Sequence, residues 1–144
     1  MSDRRQASLV AMARFLNVDL VVTSKEPLET LVEAMGDEQI VVLHADRAEG
    51  LHRVTLELYE FSRFVDADAC IAKFVELVRG LPSSARRCWD GAERRCFDVG
   101  IEGEAARFRV VVAPATLAGV VEVGGEIAIS VYARLGPPTG KFES

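Results

Sequence analysis

The chain has 144 residues, 49% hydrophobic and 27% charged, with a formal net charge of −5. That length suits one domain with a core that needs no metal or disulfide staple. The acidic balance argues against nucleic acid, whose phosphates call for a concentrated basic face. No apolar run approaches the ~18 residues of a membrane-spanning helix.

In chain order, residues 1–12 read as a flexible or helical N-terminal extension, with Leu9, Met12 and Leu16 at helical spacing. Its apolar run is broken by Arg14 and lacks a cleavage site, so a signal peptide is not expected and a cytoplasmic location is. From Arg14 the pattern alternates. Leu16, Val18, Leu20 and Val22 face one way and Phe15, Asn17, Asp19 and Val21 the other, predicting a long strand that ends near Thr23. Thr23-Ser24-Lys25-Glu26 fits a capping box with Pro27 in the first turn. Leu28, Leu31, Val32 and Met35 then form the buried stripe of a short helix stopped by Gly36.

The second strand is expected over Gln39–His44 and the third over His52–Glu60, joined by a polar loop from Ala45 to Leu51 as an antiparallel hairpin. A middle helix capped by Asp66 or Asp68 follows, with Ile71, Phe74, Val75 and Val78 inward. Gly80-Leu81-Pro82 breaks it, and a second helical piece carries Ala85, Cys88, Trp89 and Ala92 on one side. Strands four (Cys96–Ile101), five (Arg107–Ala113) and six (Glu126–Tyr132) follow. A short helix after Pro114, with Leu117, Val120 and Val121 as its face, precedes the sixth. The tail, 135–144, is rich in Pro and Gly and is expected to be disordered, leaving a single domain over 13–134.

Residues 20–42 and 109–131 align at a constant offset of 89, with Val21 on Val110, Leu28 on Leu117, Gly36 on Gly125 and Ile40 on Ile129. The order of elements therefore reads as an α+β, ferredoxin-like two-layer sandwich. It has a mostly antiparallel sheet of about six strands, helices on one face, and a repeated β-α-β unit. The repeat equates Leu20, placed inward, with Arg109, placed outward, so either the first strand is shifted or the two copies differ there.

The second half resembles a family of uncharacterised bacterial domains of unknown function. The residues that carry the likeness are Phe97-Asp98-Val99-Gly100-Ile101, Phe108, Pro114, Leu117 and Ile127-Ala128-Ile129-Ser130-Val131-Tyr132, with Leu81-Pro82 through Trp89-Asp90. It extends over roughly Phe15 to Tyr132 and rests on core and turn positions. It implies a bacterial source and no assigned activity, and it transfers no functional residue.

Several clusters invite a chemical reading. His44, Asp46 and His52 flank the hairpin loop and are suitable metal ligands or acid–base groups, although a zinc site would need a further carboxylate. Asp66 and Asp68 are better explained as helix-cap acids than as a catalytic pair. Arg79, Arg86, Arg87, Arg94 and Arg95 surround Trp89, which suggests base stacking. The i,i+4 pairs Arg86–Asp90 and Asp90–Arg94 favour a solvated helix face instead. Cys70, Cys88 and Cys96 form no C-x-x-C motif and fit buried, reduced thiols. No glycine motif for a nucleotide is present, and no cofactor is expected.

The surface of most interest is the sheet face opposite the helices. Alternation assigns to it Asp19, Arg53, Glu57, Tyr59, Asp98, Arg107, Arg109 and Tyr132. Small size, acidity and the lack of catalytic motifs point to a non-catalytic binding domain acting through that face. It would bind a protein partner, as an immunity-type protein binds a basic toxin, or a second copy of itself. The alternative is a small metabolite-binding protein or metal-dependent enzyme built on His44, Asp46 and His52.

Overall fold

The computed structural model describes residues 13–60, 64, 66–103 and 109–133. Its elements are β1 (Ala13–Ser24), α1 (Glu29–Met35), β2 (Ile40–Ala48), β3 (Leu51–Leu58), α2 (Ala67–Arg79), α3 (Ser83–Asp90), β4 (Arg94–Gly103), α4 (Pro114–Glu122) and β5 (Glu126–Tyr132). The protein is thus α+β, with four helices and a five-stranded mixed sheet in the order β2-β3-β1-β4-β5. The pairs β2–β3, β3–β1 and β1–β4 are antiparallel, and β4–β5 is parallel, joined through α4. Among the described residues no helix is long and apolar enough to cross a membrane.

β1 is central, paired with β3 on one side and β4 on the other. Val18, Leu20 and Val22 are at most 1% exposed, and Leu20 lies between Leu56 of β3 and Phe97 of β4. A bulge falls between Phe15 and Asn17, so Leu16 is the extra residue and Phe15, not Leu16, is opposite Ile101. Helix α2 lays Ile71, Phe74, Val75 and Val78 on the same core, and the Phe74 and Phe97 ring centroids are 6.1 Å apart. Asp66 caps α2, its Oδ1 accepting from Ala69 N at 2.9 Å. Trp89 is wholly buried, and its indole N–H donates to the Val123 carbonyl at 2.7 Å, which ties α3 to the end of α4.

Residues 109–113 are not a strand, so the fifth of the six expected strands is absent from the described part of that segment, and residues 107 and 108 lie outside the described residues. The sheet has five strands among the described residues, and the two copies of the offset-89 match differ where the conflict between Leu20 and Arg109 arose. Leu20 is fully buried in a central strand and Arg109 is exposed in coil. The extension 1–12 and the tail 135–144 also lie outside the described residues.

The capping box before α1 does not form, because Thr23 and Ser24 remain in β1. Ser24 Oγ accepts from Glu26 N at 3.1 Å in a local turn, and no side chain caps the helix. The polar stretch Ala45–Leu51 is mostly strand, closed by the two-residue turn Glu49-Gly50 at φ 56° and 79°. Two successive positive φ values match the twist of a tight hairpin, and Gly50 takes the second without strain. On α4, Val120 is buried, but Leu117 and Val121 are 45% and 76% exposed rather than inward.

Candidate functional site

Register decides what the open sheet face presents. Asp19 on β1 is paired with Glu57 on β3 and with Asp98 on β4, so three carboxylates form one row across three neighbouring strands. Directly opposed side chains have Cβ atoms roughly 5 Å apart, and like charges at that spacing repel. Among the described residues no Lys, Arg or His side chain pairs with any of the three.

Neutral donors hold the row instead. Asn17, two residues before Asp19 and therefore on the same face, donates from Nδ2 to Asp19 Oδ1 at 3.0 Å and to Glu57 Oε2 at 2.7 Å. The Ser130 hydroxyl on β5 donates to Asp98 Oδ1 at 2.8 Å. Gly100, opposite Asn17, leaves room for the amide, since a Cβ there would lie 3.0 Å from Asn17 Oδ1 and 3.5 Å from the Tyr132 ring. Burial, followed by the neighbouring Glu57 and then Asp98, pushes the Asp19 carboxyl up to about 6. Asp19 can therefore carry a proton near neutral pH or present its full charge to a cation.

The other predicted face residues divide. Arg53 shares the face but is directed to the rim, where Nη2 donates to Asp46 Oδ2 at 3.4 Å. The Tyr132 ring is beside Gly100, two positions along β4 from Asp98. Tyr59 lies past the end of β3 in an exposed turn, its backbone N–H bonded to the Gln39 carbonyl, and lines a groove with Ile40 and Val41. Arg109 is exposed in the coil before α4, beside a small cavity with Phe15 and Asp66, and is not part of the row. Arg107 lies outside the described residues.

The hairpin cluster separates. His44 Nε2 and Asp46 Oδ2 are 2.8 Å apart on the open face, while His52 is paired with Arg47 and lines a groove on the helix side with Leu28 and Val54. The two imidazoles are thus on opposite faces, and no group of three or more His, Cys, Asp or Glu among the described residues is placed to hold a metal ion. The His44 hydrogen bond, with help from Arg53, holds the Asp46 carboxyl below its usual range.

Most of the remaining candidates have structural partners. Asp68 Oδ1 accepts from Ala113 N at 2.8 Å, anchoring the coil before α4. Buried Trp89 has no face free for stacking. Arg95 bonds the carbonyls of Trp89, Asp90, Ala92 and Gly124, Arg86 pairs with Asp90 at 3.1 Å, Arg79 with Glu122 and Arg94 with Glu126. The cysteines are free thiols, and burial raises all three above the ordinary range, Cys70 to about 11.

Fold and site define an α+β domain with one helix-covered sheet face and one open face with an acidic centre. No family model, no curated protein and no solved structure matches the chain.

Proposed function

We propose that this is a bacterial, cytoplasmic binding domain whose contact surface is the open sheet face and whose partner presents a basic patch. The observation that carries the reading is the Glu57–Asp19–Asp98 row, three aligned carboxylates that lack a cation of their own among the described residues. A guanidinium or ammonium group arriving from a partner would supply the missing charge, and complementary fields of that kind speed and orient association.

The same row weighs against self-association through this face. A twofold dimer would bring two copies of the same patch together and set acid near acid. A basic protein partner, as in an immunity-type complex, fits better than a second copy. The free, unactivated thiols and the separation of His44 from His52 support binding over catalysis. The strand order β2-β3-β1-β4 supports reading the first four strands as a ferredoxin-like unit, extended by α4 and β5.

The test is capture of a partner from native lysate by the wild-type chain, by the triple variant D19N/E57Q/D98N and by H44A. The reading expects a basic protein bound by wild type and H44A and lost from the triple variant. A partner held equally by all three would overturn it.

A further inference from the structure

On the other side of the sheet, the hairpin extends beyond its helical cover. Between α1 and β2–β3 lies a groove of about 560 Å³, and a second space of about 520 Å³ adjoins it, sharing Val32, Glu33 and Val42. Each falls within the roughly 300–1,000 Å³ of small-ligand sites. Leu28, Val32, Val42 and Val54 give the first space its apolar surface, and the second continues past Ile40 to Tyr59. From Arg47 to Ile40 the trough follows β2 for roughly 20 Å, allowing for strand rise and the bulge.

Its charges are arranged unevenly. Arg47 and His52 are cross-strand partners at one end, both lining the groove, and neither has an ion pair or side-chain hydrogen bond among the described residues. Asp46 and Arg53 also line this end, but they are paired with each other, and His44 holds Asp46 as well. Glu29 and Glu33 line the α1 side and would repel an anion from the middle of the trough. An elongated apolar trough with an uncompensated cation at one end and acids along one wall fits a ligand with one long apolar chain and one terminal anion.

We infer that this trough binds a free single-chain amphiphile with a carboxylate head. The head is bound by Arg47 and His52, and the chain lies over Val54, Val42 and Val32 toward Tyr59. The head requires the cation, because a carboxylate leaving water needs charge-assisted donors, whereas the chain gains by covering apolar surface that water now wets.

The experiment is an amide NMR titration of the full chain with dodecanoate below its micelle concentration, with dodecylammonium and dodecanol as controls. Expected are shifts confined to residues around Val32, Val42, Arg47 and His52, with dodecylammonium at least tenfold weaker. R47A should weaken dodecanoate about tenfold while leaving dodecanol unchanged, and V42W should block both. The triple variant D19N/E57Q/D98N should bind dodecanoate as wild type does, so this inference and the sheet-face reading fail separately. Vesicles of anionic phospholipid should leave the spectrum unchanged. Absence of localised shifts, equal binding of dodecylammonium, an R47A variant with wild-type affinity, or broadening of the whole spectrum by vesicles would each overturn the assignment.

Discussion

Asp19 and Asp46 lie on the same face of the same sheet, and their surroundings drive them in opposite directions. Asp46 is on the edge strand β2, in water, with His44 at 2.8 Å and Arg53 at 3.4 Å, and its carboxyl is held below the usual range. Asp19 is on the central strand β1, partly withdrawn from water, between Glu57 and Asp98, and its carboxyl is pushed up to about 6. The edge residue has its counter-charges within the chain. The central residue has one amide donor and two like charges. A surface ion pair contributes little, whereas an aligned row without a cation among the described residues is a place where the fold gives up stability and a partner could restore it.

The contrast can be broken from below. The row is aligned by the pairing of β1, which is anchored in the core by Val18, Val22 and Leu20, the last wholly buried between Leu56 and Phe97. Leu20→Ala should lower unfolding stability by about 2–5 kcal/mol in denaturant titration. Val42→Ala, on Asp46's strand and already 43% exposed, should cost less than about 1 kcal/mol.

Next in size is the charge itself. Asp19 has a folded value of about 6 against an ordinary 3.8, so between those values the folded state holds more of the proton than the unfolded chain does. Its favourable contribution is complete below about pH 3.8 and is lost as pH rises through about 6. Asp19→Asn should therefore be more stable than wild type at pH 8, by on the order of 1–2 kcal/mol after allowing for solvent screening, and equal to it near pH 4. A variant that is less stable than wild type at pH 8 would contradict this sign.

A smaller effect is expected from the donor. Asn17→Ala removes the amide shared by Asp19 and Glu57 and should cost about 0.5–1.5 kcal/mol at pH 8. Smallest of all, His44→Ala should leave the thermal midpoint at pH 7 unchanged, because both partners of that pair are exposed.

Much of the row was legible in the sequence and its assembly was not. Alternation alone places Asp19, Glu57 and Asp98 on outward positions of their strands. Their alignment depends on which strands are neighbours and in what register, and those pairings join residues 38 and 79 positions apart. Asn17 was visible as an outward position two before Asp19, and Ser130 as a hydroxyl in the apolar run Ile127–Val131, but neither signal names its partner. The hairpin was expected, but its loop was drawn too long because edge-strand residues such as Asp46 and Arg47 meet water and so read as loop. Arg109 was placed in a strand because Arg107–Ala113 alternates, yet residues 109–113 are coil leading to α4, whose first turn begins at Pro114. The repeat at offset 89 records similar apolar spacing in segments that have different places in the sheet.

The central claim is that the open face has an acidic centre without its own counter-charge among the described residues. A carbon-detected NMR titration of the side-chain carboxyls tests it most directly. The account predicts that Asp19 titrates with a midpoint near 6, two units above the ordinary 3.8, and that the midpoint falls when E57Q removes a neighbouring charge. A midpoint near 3.8 that ignores E57Q would mean that Asp19 is solvated or compensated, and the acidic row would then carry no special claim on a partner.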